Sequence, residues 1–166
     1  MYSYFKQIKT SILFYTLVYL GLYLLVYFIL SLFNLTYILW FKQATIVLVS
    51  IGFIASTIQI GIQNTKKITI SSIILIICEV ILSILIYFGF MILHDPEEVV
   101  YTDGRQQMVQ VTHSVLVSNW IKYYDYENFF VRGKQERIYK AYNNTLQEYM
   151  YTIYYDKDGN VIKEER

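Results

Sequence analysis

The sequence predicts an α+β membrane protein in which three transmembrane helices precede a small antiparallel β domain outside the membrane. Three observations carry that expectation. Residues 11–33, 45–63 and 68–93 are long apolar runs that hold a single charge-capable side chain among them, Glu79. The charges divide at His94, since residues 1–93 hold five Lys/Arg against one acid and residues 94–166 hold nine against twelve. Past Pro96 the runs give way to short segments rich in Val, Ile, Thr and Tyr, punctuated by Gly, Asn and Asp, the pattern of strands and tight turns. A 166-residue chain that is 55% apolar, with 18 tyrosines and a mean hydropathy of +0.36, is too apolar for an ordinary small soluble domain.

The N-terminal segment, residues 1–10, carries Lys6 and Lys9. The first run, SILFYTLVYLGLYLLVYFILSLF at 11–33, is long enough to cross roughly 30 Å of hydrocarbon as a helix. It is about twice the length of a signal-peptide apolar core and no A-x-A-like site follows it, so it is expected to stay attached as a signal anchor. The second run, 45–63, is near the short end of the spanning range, and the third, 68–93, is long enough to tilt. Lys6, Lys9, Lys66 and Lys67 flank the spans on one side and only Lys42 on the other. The positive-inside rule then places the N-terminus in the cytoplasm and residues 94–166 outside the cytoplasmic membrane of a multi-pass protein.

Polar residues inside the runs fall at helical spacing. Tyr15, Tyr19, Tyr23 and Tyr27 follow one another at i, i+4, so they form a slowly winding stripe. A phenol facing lipid leaves its hydroxyl without a partner, which costs a few kcal/mol, so the stripe is expected to face protein. The second span offers Gly52, Ser56, Gln59 and Gln63, and the third Ser72, Glu79 and Ser83. A three-helix bundle is expected in which tyrosine hydroxyls, with a Ser or Gln, hold Glu79 near the bilayer centre. A carboxyl group there is a functional candidate by default. With no basic residue in any span to pair with it, Glu79 reads first as a neutral hydrogen-bonding tie between helices and second as a proton or ion site. Cys78, the single cysteine, excludes an intramolecular disulfide and reads as a packed core group.

In the tail, VVYTDGRQQMVQVTHS sets Asp103-Gly104 between two β-rich runs and predicts a hairpin. SVLVSNWIKYY reads as a further strand, VRGKQERIYKAY as a glycine turn followed by a strand, and NNT as another turn. EYMYTIYYDKDGNVIKEE reads as a last hairpin with its tip at residues 156–160. About 70 residues is close to the lower limit for an independent core. HDPEEVVYTDG, YYDYENFFVRG and RIYKAY, across residues 94–142, resemble the outer portion of uncharacterised small multi-span membrane proteins of Gram-positive bacteria. The resemblance implies a cell-envelope protein and brings no activity and no catalytic residues.

Several motifs compete with that reading. DKDGN at 156–160 opens like an EF-hand loop, but position 6 is Val161 rather than Gly and position 12 would lie past Arg166, so a hairpin tip is preferred to calcium. His94, Asp95, Glu97 and Glu98 are expected to be a solvated acidic linker rather than a metal site. No nucleophile–base pair, phosphate loop or H-E-x-x-H arrangement is found, and no cofactor is expected. The strip YYDYENFF, comprising Tyr123, Tyr124, Asp125, Tyr126, Glu127, Phe129 and Phe130, is the candidate partner-binding surface, with the small domain's core as its competing role. An acidic tail makes nucleic acid an unsuitable partner. The functional expectation is a non-enzymatic membrane protein that displays a β domain for protein binding, of immunity type or as an accessory subunit, with partner binding or self-association. The alternative is a small transport component built on Glu79.

Overall fold

The computed structural model describes residues 12–65, 70–102, 106–114, 118–143 and 148–166. Three long helices come first: α1 (Ile12–Leu32), α2 (Leu39–Thr65) and α3 (Ile70–Leu93). Each is long and apolar enough to cross a membrane. Their abundance of Ile and Val weakens helix formation in water but not in hydrocarbon, where every backbone N–H must find a carbonyl within its own segment. Helix α1 ends at Leu32 and Asn34 takes a left-handed conformation, φ 56°, a role that Asn fills after helix C-termini with little strain. The reading of a second span from residue 45 stopped short of the helix. It begins at Leu39, ahead of Lys42, because the Leu39 N–H finds a carboxylate partner.

Seven antiparallel strands form one sheet. Strand β1 (Leu35–Tyr37) lies between α1 and α2 in sequence. The other six follow α3: β2 (Glu97–Tyr101), β3 (Gln107–Ser114), β4 (Ser118–Asn128), β5 (Val131–Asn143), β6 (Glu148–Tyr155) and β7 (Val161–Glu165). These six form a meander in chain order, and β1 joins it off the path by pairing with β5. The long strand β5 therefore has two partners along one edge. Its start meets β1, with Leu35 opposite Gly133 and Tyr37 opposite Val131, and its later part meets β6 from Ile138 to Asn143.

The predicted Asp103-Gly104 tip lies outside the described residues, but β2 and β3 pair up to Tyr101 and Gln107 on either side of it. The NNT turn likewise runs into residues outside the described set. The last hairpin is present, with Asp156 N–H donating to Asn160 O at 2.9 Å and Gly159 at φ +87°. One expectation is corrected: Gly133 is not in a turn. It sits inside β5, where a β-carbon would stand 3.5 Å from the Asp125 side chain of β4, and the turn preceding β5 is instead Phe129-Phe130.

Two compact units result. One takes in the helices apart from the ends that flank β1, and the other comprises Ile29–Phe41 with His94–Arg166. The second unit buries Tyr37, Ile38, Leu39, Met108, Val109, Tyr123, Val131, Ala141 and Thr152. Residues 35–39 thus contribute to the core of a sheet whose other strands begin near residue 97.

Candidate functional site

Within the helical unit, helices meet through hydroxyls, amides and small residues. Between α1 and α2, Tyr19 Oη and Thr45 Oγ1 lie 3.1 Å apart. The Gln59 side-chain oxygen accepts the Ile12 N–H at 2.8 Å, satisfying a donor that the first helical turn leaves open. Gly52 approaches α1 so closely that a β-carbon would collide with Thr16. Thr16 and Ser56, both buried, donate to carbonyls one turn back, at 3.0 and 2.6 Å. Between α2 and α3, Thr57 Oγ1 donates to Glu79 Oε1 at 2.7 Å, and a β-carbon on Gly61 would stand 3.0 Å from Ser72 Oγ. Small residues at such crossings let backbones approach, which supplies the packing that lipid does not drive.

The predicted seam residues are distributed as follows. Tyr19 meets Thr45, Gln59 meets Ile12, Ser56 bonds to its own helix, and Glu79 meets Thr57. Tyr23 and Ser83 are half-buried, whereas Tyr15 and Tyr27 are exposed. An i, i+4 step turns about 40° past a full circle, so three steps carry the stripe through roughly 120°. Its end tyrosines consequently leave the packed side. The hydroxyl on Glu79 belongs to a threonine rather than to the predicted tyrosines, because Thr57 is rotated about 100° from Ser56. Gly52 and Gln59 address α1 while Thr57 addresses α3. Two consecutive polar residues at 56 and 57 were the available signal that this span serves two neighbours. The second carboxyl oxygen, Glu79 Oε2, is buried with no hydrogen-bond partner among the described residues.

In the sheet unit the central polar group is Glu97, which the sequence assigned to a solvated linker. Its Oε1 takes Arg132 Nη2 at 2.7 Å and Nε at 2.9 Å. Its Oε2 accepts the Leu39 N–H at 2.7 Å, at the positive end of the α2 dipole. The two side chains are 5% and 13% exposed, and the Arg132 guanidinium lies 4.2 Å from the centre of the Tyr124 ring. Nearby in sequence, Asp95 Oδ1 meets His113 Nδ1 at 2.7 Å, and the His113 ring stacks on Trp120 at 4.9 Å.

The strip at 123–130 divides between core and surface. Tyr123 is buried, Tyr124 lies under Arg132, Tyr126 is half-buried, and Asp125 pairs with Arg137 at 3.4 Å. Glu127, Phe129 and Phe130 are exposed. Further along the sheet, Lys122 pairs with Glu136 at 2.9 Å, and that hydrogen bond holds the lysine above its ordinary range. Burial pushes the phenols of Tyr124 and Tyr139 up, with Tyr151 adding to the effect on Tyr139. At the last tip, Asp156 Oδ1 accepts the N–H groups of Asp158 and Asn160 at 2.9 and 2.8 Å, and Oδ2 accepts the Asn160 amide at 2.9 Å. The carboxylate that would open a calcium loop is thus engaged within its own turn.

Together these features define a chain with three candidate membrane spans and a seven-stranded antiparallel sheet. Compared with protein-family models, curated proteins and solved structures, it matches none.

Proposed function

We propose that this is a non-enzymatic integral membrane protein, N-terminus in the cytoplasm, that holds its sheet outside the cytoplasmic membrane to bind another protein, as an immunity protein or an accessory subunit of an envelope complex does. The observation that carries the reading is β1. A module on a single flexible tether has no need of a strand from an interhelical connection. Here the sheet is joined to candidate spans before β1, after β1 and before β2, and such restraint removes the ordering cost that a mobile tethered domain meets on binding. Strand β1 follows one candidate span and β5 follows three, so their pairing is compatible with three crossings. The lysine distribution supports the outward direction. The test places a photo-crosslinking residue at Tyr101, Glu127 or Val161, all exposed, in intact cells. One discrete protein adduct, accompanied by labelling of Asn160→Cys with an impermeant maleimide in a Cys78→Ser background, is expected. Crosslinks to lipid alone, or an unlabelled cysteine, overturn the reading.

The buried, unpartnered Glu79 Oε2 favours one second reading, a small transport component in which Glu79 carries a proton or ion. Glu79→Gln separates the two. An amide still accepts from Thr57, so a structural tie survives with little loss of stability. A proton carrier loses all activity in a proton-flux assay while the fold is kept, because an amide cannot cycle protons.

A further inference from the structure

The turn between β4 and β5 is made of Phe129 and Phe130, where hairpins ordinarily carry Asn, Asp or Gly. The rings are 63% and 46% exposed, although nothing in the turn geometry requires aromatic residues. Both pack on Trp40, with ring centroids 4.6 and 5.5 Å from the indole, and Phe130 also meets Phe41 at 5.1 Å. Trp40 Nε1 donates to the Phe129 carbonyl at 3.0 Å, and the Ile38 N–H donates to the Phe130 carbonyl at 2.9 Å. The turn is therefore fixed to the first residues of α2, and Trp40, itself 37% exposed, joins the exposed aromatic surface.

Trp40 is the second residue of the candidate span Leu39–Ile62. Chain connectivity alone sets an indole at that position at the lipid–water boundary, the depth at which Trp is enriched and its N–H can find a polar partner. Rings packed on it share that depth. We propose that Trp40, Phe129 and Phe130 form an interfacial wedge seated in the headgroup and upper acyl region of the bilayer, so that the β4–β5 turn touches lipid directly. The occupant of this aromatic surface is lipid. The inference rests on the reading of the three helices as membrane spans.

The experiment uses the full chain in proteoliposomes. Phe129→Trp in a Trp40→Phe, Trp120→Phe background leaves one indole at the turn, and Leu48→Trp in the same background leaves one within α2. Lipids brominated near the headgroup should remove most of the Phe129→Trp emission, which should be blue-shifted and insensitive to aqueous iodide. Lipids brominated deep in the chain should instead quench Leu48→Trp. Red-shifted, iodide-quenched emission at position 129 overturns the wedge. So does blue-shifted emission that no brominated lipid quenches, which means that protein covers the turn. If position 48 is quenched and position 129 is not, the spans stand and the wedge falls; if neither is quenched, the span reading fails and the wedge with it. Phe129→Cys in a Cys78→Ser background, carrying a small environment-sensitive dye, keeps Trp40 in place. Lipid quenching of that dye is expected, and its absence overturns the wedge even if the tryptophan variants fail to fold.

Discussion

Glu97 joins three things that the chain keeps far apart: β2, the Arg132 guanidinium of β5 and the first N–H of α2. Glu97→Ala leaves Arg132 in a nearly buried site without its counter-ion and reopens the Leu39 donor. Removing one partner of a buried pair costs about 3–5 kcal/mol. Glu97→Gln keeps an acceptor for Leu39 and loses only the charge, so its cost should be the smaller. Denaturant unfolding in detergent, followed through the sheet signal, checks the order; equal losses for the two variants would assign the effect to shape rather than charge. Glu97 was visible in the sequence only as one of several acids beside a span. Its partner, Arg132, lies 35 residues further on, and no local pattern relates them. Thr57 was missed for a different reason. In an apolar run a threonine breaks hydropathy less than a tyrosine stripe does, although its short hydroxyl reaches the carboxyl group.

Among the elements, the helices were the most legible, because hydrocarbon demands length and apolarity in one continuous run. Strands β2, β3, β6 and β7 followed from alternation and turn residues. Gly133 misled because glycine ordinarily marks a turn, whereas here it sits mid-strand opposite Leu35 of β1, where a β-carbon would meet only ordinary contact. The true turn, Phe129-Phe130, has the composition of a core. Strand β1 left no local signal at all, since three residues, Leu35–Tyr37, are too few for a period to show. The middle strands carry a pH dependence. Lys122 is held above its ordinary value of 10.5 in the folded state, so its stabilising contribution is complete below that value and is lost as pH rises through the raised one. Tyr124 and Tyr139 are held above 10.0. Above that pH the unfolded chain ionises them first, which also disfavours the fold. Both effects have the same sign, so sheet stability should fall from about pH 10 upward. Parallel titrations of phenolate absorbance and circular dichroism check this, and a sheet signal that stays flat while every tyrosine ionises would refute it.

At the scale of the whole molecule, the β domain is not the contiguous tail 94–166 that the change in composition marks. It includes 35–37 through pairing with β5, and this predicts a difference between the whole chain and the tail alone. Amide exchange at Lys134, whose N–H donates to the Asn34 carbonyl just ahead of β1, should be slow in the full-length protein. In a 94–166 fragment, which has no β1, it should be fast, while exchange at Ile138–Asn143, paired with β6, should change little. Similar protection at Lys134 in both would mean that β1 contributes nothing to the sheet.

The pairing of β1 with β5 also sets an order in time. During synthesis Tyr37 emerges 94 residues before its partner Val131. At about 5–20 residues per second, roughly 5–20 s pass during which a short strand with open backbone donors waits without its partner. The last two helices must be made before its partner arrives. Closure of the sheet therefore comes after synthesis of all three hydrophobic segments, and a protein truncated before residue 131 would leave β1 permanently exposed to quality-control proteases.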